Sequence, residues 1–147
     1  MKEYITVSSI RATPETVWKV LTDATAYADW NPEIIGIDGR MALNERITAR
    51  VKLGSGAIRR VPMRVTAFEA PSRMEWRGGL PLGLFVGLRT FTLVPRDGVV
   101  EFRMHLRMSG PLTPLILKSV GDRQPEIDSF SSALRAHVER HQGSQAT

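Results

Sequence analysis

His137 and His141 stand four residues apart, a spacing that puts two imidazoles on one helix face and could begin a metal site. Such a site needs a third ligand, and none is placed nearby. The remaining histidine, His105, alternates with apolar residues in a way that turns it to solvent. Solvent-facing histidines near a helix C-terminus, where the dipole favours positive charge, are the simpler reading, and no metal is expected. A Ser-His-Asp set would need a histidine in the interior, and none of the three is expected there. With no cysteine in the chain, thiolate nucleophiles, disulfides and zinc thiolates are excluded. Gly54-Ser55-Gly56 lacks the lysine and following helix that a phosphate-cradling loop requires. Proton-transfer chemistry would call for an inward acid or base. Only Glu33 and Glu75, near strand ends, are candidates for that, and no catalytic residue is assigned.

Arg89 is more promising. Asp97-Gly98 between two alternating runs is a strong hairpin signal. With those two residues as the turn, Arg96 faces Val99, Leu93 faces Phe102, Phe91 faces Met104 and Arg89 faces Leu106. Opposed residues share a sheet face, and a slip by one would set Leu93 and Phe91 against arginine or histidine. Arg89 therefore lies on the apolar face, where an unpaired charge is costly. Its planar fork suits a carboxylate, phosphate or carbonyl at the end of an otherwise apolar ligand. Snorkelling to water at the sheet rim, or bonding a loop carbonyl, would also satisfy it.

The other inward positions are apolar: Ile47, Ala49, Val51, Val61, Met63, Val65, Met74, Trp76, Phe91, Leu93, Phe102, Met104 and Leu106. Methionine suits an adaptable wall, although such residues more commonly fill a core. The ring of Trp30, fixed by Trp30-Asn31-Pro32, would plug one end. The stretch Gly78–Phe85 reads as a loop of glycine and apolar residues. With Leu112, Leu115 and Ile116 it would form a greasy entrance, or else a packing or dimer contact.

The elements that must position these residues follow from punctuation and period. Residues 3–10 form a strand, and Thr13-Pro14 then caps and opens a helix whose apolar face is Val17, Trp18, Val20, Leu21 and Ala24. A second short helix over Asp23–Asp29 ends before Pro32. Strands over Glu33–Asp38, Glu45–Leu53, Arg60–Glu69, Arg73–Arg77, Val86–Pro95 and Val99–Met108 come next. The end is a long helix from Gly110-Pro111, interrupted or kinked at Gly121 and Pro125, with Ile127, Phe130, Leu134 and Val138 at helical spacing. One α+β domain over residues 1–141 is expected, with 142–147 a frayed tail.

The 147 residues carry a formal charge of +5, with 42% apolar and 24% charged residues, an ordinary globular composition. Arg46, Arg50, Lys52, Arg64, Arg103 and Arg107 alternate with apolar neighbours, as on a solvated strand face; only Arg59-Arg60 are adjacent. Nucleic acid is not an expected partner. No apolar run approaches the roughly 20 residues of a membrane span, and no signal-peptide pattern opens the chain, so a cytoplasmic protein is expected.

An ordered set of short motifs resembles the START-like superfamily, also called SRPBCC or the birch-pollen-allergen fold, and within it polyketide cyclase/dehydrase-type proteins. The set comprises Ile10-x-Ala12-x-Pro14-x-x-Val17-Trp18-x-x-Leu21-Thr22-Asp23, Tyr27-x-x-Trp30-Asn31-Pro32, Arg89–Pro95 with Gly98, and Ser109-Gly110-Pro111-Leu112. The resemblance implies a helix-grip fold: a curved seven-stranded antiparallel sheet wrapped around the C-terminal helix, two short helices between strands 1 and 2, and a cavity between sheet and helix. It further implies binding or transport of a hydrophobic small molecule such as a lipid, quinone or aromatic polyketide, by a monomer or homodimer without a cofactor. The expected ligand-binding residues are Arg89, Trp76, Phe91, Met63, Met74, Phe102, Met104, Trp30, Phe85 and Ile116. A cyclase/aromatase enzyme and a co-chaperone-like interaction module are the alternatives, since the superfamily contains both.

Overall fold

The computed structural model describes residues 1–53 and 55–145. In chain order these form β1 (Lys2–Ile10), α1 (Pro14–Thr22), a 3-10 segment (Ala24–Asp29), β2 (Ile34–Asp38), β3 (Arg46–Lys52), β4 (Ile58–Glu69) and β5 (Arg73–Leu80). A 3-10 turn (Pro81–Gly83), β6 (Phe85–Arg96), β7 (Val99–Ser109), α2 (Thr113–Val120) and α3 (Gln124–Gln145) complete the chain. The seven strands make one antiparallel sheet in the order β1-β7-β6-β5-β4-β3-β2, the helix-grip arrangement.

Local chemistry sets the boundaries. Thr13 caps α1, its hydroxyl accepting from the Thr16 amide at 3.3 Å, and Pro14 occupies the first turn, where its missing N–H is not needed. The 3-10 segment closes when the Trp30 and Asn31 amides both donate to the Tyr27 carbonyl. Asn31 Oδ1 then accepts from the amides of Glu33 and Ile34 at 2.9 and 2.8 Å, turning the chain into β2.

The β6–β7 hairpin has the expected register, with Arg96↔Val99, Leu93↔Phe102, Phe91↔Met104 and Arg89↔Leu106. Asp97 and Gly98 both have positive φ, 44° and 84°, as a two-residue turn of this twist requires. The stretch from Gly78 is not the expected loop. β5 continues to Leu80 and β6 begins at Phe85, so Gly78↔Gly87, Gly79↔Val86 and Leu80↔Phe85 are paired and only Pro81–Leu84 turn. Glycine lowers strand propensity, but here it lets backbones approach: a Cβ on Gly79 would collide with the Phe85 carbonyl oxygen.

The C-terminal helical region breaks completely where Gly121 (φ 76°) ends α2, and Pro125 starts the next helix rather than kinking one. Helical backbone extends to Gln145, beyond the end expected at residue 141, while residues 146–147 and Gly54 lie outside the described residues. The stripe Ile127, Phe130, Leu134 and Val138 is buried against the sheet. Phe130 is the hub, its ring 5.2 Å from Trp30, 5.8 Å from Phe91, 6.2 Å from Phe102 and 6.3 Å from Tyr27. Both ends of α3 are tied to the β1 region: Gln124 Nε2 donates to the Ile5 carbonyl and the Arg11 amide donates to Glu139.

Candidate functional site

The inward face of the sheet is filled at one end and hollow at the other. Met74, Phe91, Phe102 and Met104 are completely buried and belong to the filled end, and Trp30 is packed edge-on to Phe130. None of these five borders the cavity, and Trp30, Phe91 and Phe102 lie against the Phe130 ring of α3 instead. Val51 and Met63, by contrast, are only half-buried. There a cavity of about 320 Å³ opens, the low end of ligand-binding cavities. Ala49, Val51, Val61 and Met63 of β3 and β4 form one wall, with Trp76 of β5, Phe85 and Arg89 of β6, and Leu106 and Met108 of β7. Ile116 and Val120 of α2 close over it. Of the ten expected ligand-binding residues, Arg89, Trp76, Met63, Phe85 and Ile116 thus border the cavity.

One end of the cavity is ionic. Arg89 is only 11% exposed and neither snorkels nor bonds a loop carbonyl. Its Nη1 and Nη2 donate to Glu33 Oε1 and Oε2 at 3.2 and 3.3 Å, a bidentate pair, and its guanidinium lies 5.9 Å from the Phe130 ring centre. Arg123 Nη2 donates to Glu33 Oε2 at 2.8 Å from the break between α2 and α3. Burial alone would push the Glu33 carboxyl up, but the Arg89 and Arg123 guanidiniums outweigh it and hold the group below its ordinary value. Glu33 is therefore an ionised carboxylate whose two oxygens accept three N–H groups.

Sequence reasoning left Glu33 as one of two open possibilities and did not find Arg123. Strand alternation does not govern Glu33 because it precedes β2, in the turn where Asn31 Oδ1 accepts from the Glu33 and Ile34 amides, and both residues border the cavity. Asn31-Pro32, which aims Glu33, was the available signal. Arg123 was marked only by its place between Gly121 and Pro125, where a helix break sets a long side chain at the cavity. Glu75 faces the other way, bonded to Thr66 and Arg73.

Other candidate chemistry is accounted for by packing. Tyr27, an inward tyrosine outside the expected set, donates to the Leu21 carbonyl at 2.6 Å, and burial pushes its pKa far up. His137 is not simply solvent-facing but stacks on Trp30 at 6.2 Å; burial, with His141 close by, lowers its pKa. His105 pairs with Glu3 at 3.6 Å on the outer face. Among the described residues no three His, Cys, Asp or Glu side chains converge to hold a metal, and no helix is long and apolar enough to cross a membrane.

A curved sheet gripping a helix, with a cavity ending in a buried charge cluster, defines a helix-grip protein. The chain belongs to the family described as polyketide cyclase/dehydrase and lipid transport, whose profile matches residues 3–139. Solved structures of similar fold include a START superfamily protein from Mycobacterium smegmatis, 20% identical over 95% of this chain and 98% of that one, with a TM-score of 0.70. The Zhui aromatase/cyclase from Streptomyces sp. R1128 is 15% identical over 96% and 95%, with a TM-score of 0.75. A protein from Thermus thermophilus is 17% identical over 95% and 99%, with a TM-score of 0.73. No curated protein sequence shows a significant match.

Proposed function

We infer that the protein binds, and in doing so can carry, a hydrophobic small molecule in the cavity between the sheet and α2, with the polar end of that molecule at Arg89. The observation that carries this reading is the cavity itself: apolar walls from five strands and α2, ending in two arginines on one carboxylate. Apolar enclosure with a few convergent polar groups is the general design of small-molecule sites. Lipids and polyketides are the ligand classes the family's description suggests, and a quinone would present the same apolar body with a polar end. Action in the cytoplasm, as a monomer or homodimer, completes the reading.

A cyclase-type enzyme is the second reading, favoured by one observation, a carboxylate bordering the cavity. Glu33 is poorly suited to it. Two arginines stabilise its charged form, which weakens it as a base and keeps it from serving as an acid near neutral pH.

Native mass spectrometry of freshly purified protein, followed by organic extraction, tests the binding reading. A discrete added mass that vanishes on denaturation is expected. A clean apo mass, with no thermal stabilisation by fatty acids, quinones, sterols or aromatic polyketides, would overturn it.

A further inference from the structure

The ionic end of the cavity holds more donors than acceptors. A guanidinium carries five N–H groups. Arg89 directs three of them, two at Glu33 and one at Met104 Sδ 3.9 Å away, which leaves two (5 − 3 = 2) without an acceptor among the described residues. Arg123 makes one hydrogen bond, to Glu33. Directly opposite Arg89 in the β5–β6 register stands Trp76, which borders the cavity and whose buried indole N–H has no partner. The oxygens of Glu33 are meanwhile occupied by both arginines. A ligand presenting a hydroxyl or amide N–H finds few free acceptors here, whereas an acceptor finds several donors.

Charge points the same way. Two guanidiniums and one carboxylate leave a surplus of one positive charge (2 − 1 = 1) on side chains 11%, 8% and 1% exposed. Glu126 is the other carboxylate near Arg123, but it stands 3.9 Å away, makes no hydrogen bond to it and is 30% exposed. At that distance it offsets part of the surplus without taking a donor from either arginine. A buried cation without a full counter-charge is costly, and an anion brought to it recovers that cost.

We propose that the molecule held in the cavity is a compact apolar carboxylic acid, bound as its anion with the carboxylate at Arg89 and Arg123. This rests on the binding reading above and adds the ligand's class. Glu33 is a positioning residue: it holds both guanidiniums at the cavity end, and the ligand's carboxylate takes the N–H groups that Glu33 leaves free. A cavity of about 320 Å³ suits a medium-chain or two-ring acid rather than a long-chain lipid.

Calorimetric titration of the wild-type protein near neutral pH with two near-isosteric pairs, decanoate against decanamide and naphthoate against naphthamide, reads the preference for charge. In at least one pair the acid is expected to bind about tenfold more tightly, a difference of about 1.4 kcal/mol. In folded Arg123→Gln that preference should fall to about twofold or less, because the acid loses more affinity than the amide; Arg123→Lys should retain part of it. If the amide binds as well as the acid in both pairs, the anion assignment is wrong while the binding reading stands. An acid preference unchanged in both Arg123→Gln and Arg89→Gln would place the anion elsewhere and equally overturn it. If no acid or amide binds and the purified protein carries no small molecule, the binding reading itself fails. Should Arg123→Gln not fold, the wild-type pairs and Arg89→Gln still decide.

Discussion

Glu33 sits between two arginines that repel each other, and this makes its loss worse than the loss of either. Glu33→Ala leaves two buried guanidiniums without their common acceptor, the situation in which breaking a buried pair costs about 3–5 kcal/mol. Arg89→Leu leaves the Glu33–Arg123 pair at 2.8 Å with its charges balanced and adds apolar contact, so its cost should be within about 1 kcal/mol of zero. Urea unfolding of the two variants checks the contrast, and equal destabilisation would show that the cluster does not act as a unit. The same residue sets an acid limit. The pKa of Glu33 is depressed in the folded protein, so its stabilisation is present above the unfolded carboxylate value, near 4.3 for glutamate, and is lost as pH falls through the lower folded value. The urea midpoint of the wild type should therefore drop more steeply below about pH 4 than that of Glu33→Gln. Parallel curves would sink that assignment.

At the scale of elements, legibility tracked how local the determining chemistry was. The β6–β7 hairpin could be read pair by pair because Asp97-Gly98 and the alternation of Phe91, Leu93, Phe102 and Met104 give one register. The cap at Thr13 and the break at Gly121 are equally local. What could not be read depended on partners distant in sequence. Gly78 and Gly79 look like a loop until Val86 and Gly87 are opposite them, and Glu33 looks like a strand-end residue until Arg89 and Arg123, 56 and 90 residues away, meet it. Which inward residues face a cavity and which face α3 was also hidden, because it depends on where Phe130 lands. The hairpin of β5 and β6 carries its own prediction. Gly79→Ala would set a Cβ against the Phe85 backbone oxygen at φ 143°, with no flexible side chain to give way. A loss of at least about 2 kcal/mol is expected. Gly83→Ala, at φ 68° with open space around it, should cost about 1 kcal/mol. Thermal unfolding of both variants, read together, separates collision from strain.

For the molecule as a whole, the division of the interior into a packed half and a hollow half determines how stability and binding can be uncoupled. Phe130 packs α3 on the sheet through Phe91 and Phe102 and on the 3-10 segment and its end through Tyr27 and Trp30, and truncating such a residue costs about 3–5 kcal/mol, enough to endanger the fold. Val61 lies opposite Ala49 on the inward face, at the hollow end, where the space before it is unfilled. Val61→Phe extends a ring into that space. If the cavity is open as described, the larger side chain gains apolar burial without displacing neighbours, and the midpoint of unfolding should hold or rise. Ligand uptake should fall at the same time, because the added ring takes part of a cavity of only about 320 Å³. For a ligand present at a hundred times its dissociation constant, the stabilisation forfeited would be about 2.7 kcal/mol. Thermal shifts of wild type and Val61→Phe, each with and without decanoate, measure both quantities at once. Destabilisation of Val61→Phe by about 1–3 kcal/mol, the usual cost of overpacking, would mean that the space is already occupied by the protein itself. The charge cluster would then be part of a closed core rather than the end of a site.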